Sequence, residues 1–85
     1  MNKKFATRLM DMPLVTSEGT MIGRLDDIMV NDQTGDIFEL LITPTGEKIT
    51  HFKKDVKGRY VVPYEYVKMG KDVFVIELQR VPRLD

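Results

Sequence analysis

Cysteine and tryptophan are absent from these 85 residues, and histidine and serine occur once each, as His51 and Ser17. Without cysteine there is no disulfide framework and no thiolate site for zinc or iron-sulfur, so the fold rests on its core alone, as expected in a reducing, cytoplasmic setting. No apolar run approaches the roughly 18 to 20 residues that cross a bilayer. The opening MNKKFATRLM has the charges of a signal peptide without its hydrophobic stretch, so no direct membrane insertion is expected. Chemistry is equally short of means. Ser17 lacks a G-x-S-x-G elbow, and His51 stands between Thr50 and Phe52 with no evident base or acid partner. Neither G-x-G-x-x-G nor G-x-x-x-x-G-K-[ST] occurs to cradle phosphates. Asp26, Asp27, Asp32 and Asp36 crowd one segment without the regular ligand series and closing Glu of a calcium loop, which leaves them to turns and a solvated edge. A non-enzymatic protein without cofactor or metal is the expectation.

What is present is an ordinary globular composition, 42% hydrophobic and 31% charged, in a chain long enough for one domain. A single domain over 1–85, with short flexible ends at about 1–4 and 81–85, follows. Glycines at 19, 23, 35, 46, 58 and 70 fall at near-regular intervals in turn-like settings between apolar runs. Such punctuation is the mark of a small all-β sandwich or barrel.

The runs read as strands. In Asp36 to Thr43 (DIFELLIT), alternation puts Phe38, Leu40 and Ile42 on one apolar face and Ile37, Glu39 and Leu41 on a mixed one. Val73 to Leu78 repeats this, with Phe74, Ile76 and Leu78 opposite Val73, Val75 and Glu77. The surplus apolar residues of the second faces, Ile37, Leu41, Val73 and Val75, suggest a dimer contact. In Met21 to Asn31, Leu25 and Ile28 share a face only if a β-bulge near Asp26 and Asp27 restores the register. Asn31 to Asp36 (NDQTGD) then closes a hairpin.

Residues 44–59 form a long polar loop with Ile49, Phe52 and Val56 as its apolar anchors. Tyr60 to Val62 resumes as a strand ended by Pro63, Tyr64 to Met69 suggests one short helical turn, and the tail from Val81 is extended. Tyr64, Tyr66 and Met69, with Val81 and Leu84, supply either a surface patch for a protein partner or plugs for a barrel end.

The charge balance of 13 against 13 hides segregation. Lys3, Lys4 and Arg8 open the chain, residues 11–39 hold seven acids against Arg24 alone, and the loop brings Lys53, Lys54, Lys57 and Arg59. That basic loop, next to Phe52 and Tyr60, resembles a surface for single-stranded RNA, but the neutral total and the acidic neighbour would repel phosphate. Nucleic acid is therefore not the expected partner. An acidic hairpin region and a basic loop on one small barrel would instead allow oriented, salt-sensitive docking on a protein surface or on a second copy of the chain.

The ordered pattern resembles a known family. V-T-S-E-G-T-M-I-G-R-L-D-D-I-M-V-N-D-Q-T-G-D-I-F-E-L-L-I-T (Val15 to Thr43), then G-R-Y-V-V-P-Y-E-Y-V (Gly58 to Val67) and K-D-V-F-V-I (Lys71 to Ile76), is similar to the PRC-barrel family. That small barrel occurs in the H subunit of photosynthetic reaction centres and the C-terminal part of the ribosome maturation factor RimM. The resemblance implies a PRC-type β-barrel of five or six mostly antiparallel strands with one short helical turn, acting in docking and assembly with no shared active site. The loop before G-R-Y-V-V-P looks most like short stand-alone archaeal members of the CdpB type, some of which act in FtsZ-based cell division and bind the FtsZ anchor SepF. By that resemblance the chain would be an adaptor at the division site; the reading of the residues adds self-association as a homodimer and contact with the partner through Phe52, Tyr64, Tyr66 and Met69. The alternative it implies is an RNA- or ribosome-associated assembly module like the RimM barrel.

Overall fold

Six strands form where apolar residues alternate between turn signals. The computed structural model describes residues 9–83, with strands β1 (Pro13–Thr16), β2 (Met21–Val30), β3 (Ile37–Pro44), β4 (Tyr60–Pro63), β5 (Val67–Met69) and β6 (Phe74–Ile76). They make one sheet in the order β4-β3-β2-β1-β6-β5. Every pairing is antiparallel except β1 with β6. The sheet curls into a half-barrel whose edge strands, β4 and β5, are joined in sequence by a 3-10 turn, Tyr64–Tyr66. The expectation of a small all-β barrel of five or six strands is met.

Curling brings the inner faces onto one core. Leu14, Ile22, Leu25, Leu40, Ile42, Tyr60, Val62, Phe74 and Ile76 are almost wholly buried, joined by Leu9, Phe52 and Val81. Each large apolar side chain removed from water contributes about 1.5–3 kcal/mol, which lets so short a chain hold together without cross-links. Burial of Val81 carries the ordered core into the tail that the sequence assigns to a flexible end. Residues 1–8, including Lys3, Lys4 and Arg8, lie outside the described residues, as do Leu84 and Asp85.

The bulge near Asp26 is present. Leu25 pairs with Ile42 and Asp27 with Leu41, so Asp26 is the extra residue and Leu25 and Ile28 both turn inward. The NDQTG hairpin also forms: Asn31 Oδ1 accepts the N–H groups of Gln33 (2.8 Å) and Thr34 (3.2 Å), and the Asn31 N–H donates to the Asp36 carbonyl (2.8 Å).

Three expectations are corrected. Phe38 is not a core residue: a second irregularity pairs Met29 with Glu39 and Val30 with Ile37, so Phe38 is skipped and exposed while Ile37 packs against the core. The extra residue inverts the alternation at that end of β3. Gly23 is not in a turn but inside β2. A Cβ there would collide with the Thr43 carbonyl oxygen and the Ile42 side chain, so its role is close strand approach. Finally, of Tyr64 to Met69 only Tyr64–Tyr66 is helical, Val67–Met69 forms β5 against β6, and a second 3-10 turn, Leu78–Arg80, stands beside the single one expected.

Candidate interaction surface

The outer face of the sheet follows from its register. Glu39 pairs with Met29 on one side and Pro63 on the other, and Leu41 pairs with Asp27 and Val61. These neighbours share one face, opposite the buried Leu40, Ile42, Tyr60 and Val62. The face is rich in carbon. Met29 and Phe38 are about half exposed, and Leu41 lies nearly buried at the base of a depression of about 450 Å³ lined by Met29, Glu39, Val61 and Lys53 to Val56.

Loop 45–59 borders that face because its second half folds back on β4. Phe52 enters the core, the Val61 N–H donates to the Lys53 carbonyl (2.9 Å), and Lys54 bridges to Tyr60. The tip is a closed turn. The Asp55 N–H donates to the Arg59 carbonyl (2.9 Å), the Gly58 N–H to the Asp55 carbonyl (3.0 Å), and Asp55 Oδ1 accepts the N–H groups of Lys57 (3.0 Å) and Arg59 (2.9 Å). Gly58, at φ +80°, supplies the left-handed residue that the turn requires. Val56 is displayed at its apex, fully exposed.

Arg59 locks this turn to the sheet. Its Nε donates to Asp55 Oδ2 (2.7 Å) and its Nη1 to Asp26 Oδ2 (2.6 Å), the carboxylate that the bulge turns outward. The Asp26 hydrogen bond, then that of Asp55, raises the Arg59 pKa further above its ordinary value. The Asp55 carboxyl is held below its usual range, chiefly by the Arg59 N–H, against an opposing cost of desolvation. Four side chains were expected as a free basic loop. Arg59 is instead engaged by two carboxylates, Lys54 sits with Nζ 5.3 Å from the centre of the Tyr60 ring, and Lys53 and Lys57 are exposed.

A second depression, of about 480 Å³, runs along β4 towards the tail. Its lining includes His51, Phe52, Pro63, Tyr66, Val81 and Arg83. It shares Glu39, Lys53 and Val61 with the first, so the two depressions adjoin along these residues and are together called the trough. Within it the Nδ1 of His51 is buried without a hydrogen-bond partner.

Of the expected partner-binding residues, Phe52 and Tyr66 meet in this trough, although Phe52 is mostly a core residue. Tyr64 is half-buried against the core, and Met69 is exposed on β5. The expected dimer residues are not brought into one patch. Ile37 packs inward and Leu41 sits under the loop, while Val73 and Val75 lie at the other end of the sheet, with β2 and β1 between β3 and β6. Val75 lines a small cleft with Glu65, Tyr66, Lys68, Glu77 and Arg80. Met29 and Val61 were not singled out in the sequence, Pro63 was read only as the end of a strand and Phe38 as a core residue, and only the second irregularity of β3 reveals the exposure of Phe38.

Among the described residues, Ser17 and His51 line different cavities. Ser17 borders a space of about 160 Å³ with Glu18, Glu47 and Ile49, whereas His51 belongs to the trough. The barrel end near Tyr60 is filled: that ring is buried and its Oη accepts the Ile49 N–H at 3.2 Å. Among the described residues no group of three His, Asp or Glu side chains could hold a metal ion, and no helix is long and apolar enough to cross a membrane.

Comparison with known proteins agrees with this geometry. No curated protein matches the chain. A family model, the PRC-barrel domain, matches residues 1–80. Domains of this kind are small interaction and assembly modules, generally without catalysis. Matched over nearly its whole length and folded as a curled six-stranded sheet, the chain belongs to the PRC-barrel family.

Proposed function

We propose that this domain is an adaptor that docks a protein partner on the outer face of β2, β3 and β4. One observation carries the reading: apolar side chains, Met29 and Val56, stand exposed along the trough on a face whose backbone is already paired, and Phe38 is exposed on the same strand as Glu39 and Leu41. Exposed apolar side chains gathered on one face of a soluble domain favour an interaction surface. The sheet edges favour it too. The β4 edge is occupied by Lys53 to Asp55 and ends in Pro63, which has no N–H, and β5 offers only three residues, Lys68 among them. Strand addition is thus poorly served, and side-chain docking is the available mode.

The resemblance to short archaeal members makes the FtsZ anchor SepF the first partner to test, in an adaptor of the division machinery. Titration calorimetry of the full chain against purified SepF should show binding that Phe38→Thr and Met29→Thr weaken with the fold intact. Absence of binding to SepF would overturn the division role. Self-association belongs to the same proposal, with Val73 and Val75 as its remaining candidate contact. Light scattering should then give a dimer mass that Val75→Glu halves, and a monomer in both chains would dispose of it. An RNA-associated role is less well supported, since Phe52 and Tyr60 are 7% and 1% exposed and cannot stack on bases.

A further inference from the structure

The trough has a chemistry that narrows its occupant. Its floor is Val61, Pro63, Tyr66 and Val81, with the edge of Phe52. Its rim carries Lys53, Lys54 and Arg83 against Glu39, because the remaining acid, Asp55, is already bound to Arg59. Among the described residues, none of these three cations is in an ion pair. The rim is therefore net positive around an apolar floor, although the chain as a whole is neutral. The trough is also long and shallow: its two halves meet at Glu39, Lys53 and Val61 and run alongside β4 from the Val56 turn to the tail. A compact ligand would fill one half and leave the other wet. An extended chain would cover both.

We propose that the trough binds an extended peptide segment whose apolar side chains are flanked by carboxylates. This rests on the docking reading above and specifies the partner's chemistry. The apolar side chains would cover Val61, Pro63 and Val81, and the carboxylates would face Lys53, Lys54 and Arg83. The Val61 N–H is already bonded to the Lys53 carbonyl and Pro63 has no N–H, so the peptide would be selected by its side chains and not by strand pairing. The turn held by Asp26, Asp55 and Arg59 forms one wall without the peptide, which lowers the cost of ordering on binding.

The test is selection of a phage-displayed random dodecapeptide library on the immobilised full chain, followed by anisotropy titration of the enriched peptides. The expected result is enrichment of sequences combining Asp or Glu with large apolar residues. Lys53→Glu should weaken their binding about tenfold at low salt, with less effect at high salt where rim charges are screened. Val61→Thr should weaken it at both. Thermal melting of each variant shows whether the fold is kept, and Lys57→Glu, outside the trough, should change binding little. Enrichment of basic or wholly polar peptides, no enrichment, or binding indifferent to Lys53→Glu and Val61→Thr would overturn the proposal. So would concentration-dependent self-association that those two variants abolish, since a second copy would then be the occupant. If SepF binds and neither variant matters, the trough proposal fails while the adaptor reading stands; acidic, apolar peptides with no SepF binding would give the reverse for the division role.

Discussion

Replacing Phe38 by threonine separates two accounts of β3 and decides whether its outer face exists as described. Simple alternation puts Phe38 in the core with Leu40 and Ile42, and removing a buried phenylalanine costs about 3–5 kcal/mol. The skipped pairing opposite Met29 and Val30 instead leaves its side about half exposed, at 48%. Full burial of such a side chain is worth about 1.5–3 kcal/mol, so about half of that, roughly 1 kcal/mol, is at stake. Threonine keeps the β-branched preference for a strand, which limits any contribution from propensity. Leu40→Ala, at 0% exposure two residues away, provides the internal standard and should cost about 2.7–5 kcal/mol. A chain of 85 residues has about 4–13 kcal/mol of stability in all, so urea melts followed by far-ultraviolet circular dichroism resolve the two cases. A loss of 3 kcal/mol or more for Phe38→Thr, approaching that of Leu40→Ala, would put Phe38 in the core, and with it would go the second irregularity and the surface built on it.

Three further outcomes bear on the loop and the trough. Tyr60→Phe removes the acceptor of the Ile49 N–H and should cost about 1 kcal/mol in urea melts, with faster amide exchange at Ile49. His51→Leu replaces a ring whose Nδ1 is buried without a partner and should leave stability unchanged or raise it, so a clear loss would reveal a bond that the structure lacks. For Asp55, the folded pKa lies below the ordinary 3.8, so the unfolded chain holds its proton more tightly. Its stabilising effect is then complete above that value and is lost as pH falls through the lower, folded pKa. Asp55→Asn should accordingly be less stable than the natural chain at neutral pH, and the difference should close below pH 3.8; a gap that persists undiminished into strong acid would contradict this.

Legibility in the sequence tracked the separation of the residues involved. The bulge at Asp26 was readable because Leu25 and Ile28 stand three apart, which no regular strand can bury together. The hairpin at Asn31 was readable because its side-chain bonds span two or three residues. Phe38 was not, because the run from Ile37 to Ile42 has apolar residues on both parities and a shift by one residue at its start leaves a plausible core either way. Residues 44–59 read only as a long polar loop, because the restraint that locks it, Asp26 on Arg59, comes from 33 residues away. The trough is assembled from Glu39, the loop, β4, the 3-10 turn and the tail, and no local pattern announces such a meeting.

The segregated charges change meaning for the same reason. Along the chain they form an acidic block and a basic block, which taken alone would give a polar charge distribution. In the fold, the bulge carries Asp26 to the basic loop and Arg59 joins it to Asp55, so the blocks meet and partly neutralise each other. That contact uses the one arginine of the loop, whose planar fork suits two carboxylates at once, and leaves its lysines at the surface. The division of labour has a consequence for salt. Added salt should screen Lys53 and Lys54 at the trough before it loosens the short, half-shielded Asp26–Arg59–Asp55 contacts. Binding would therefore weaken with ionic strength while the turn that displays Val56 keeps its shape, and tryptic cleavage after Arg59 should stay slow at salt concentrations that already weaken peptide binding.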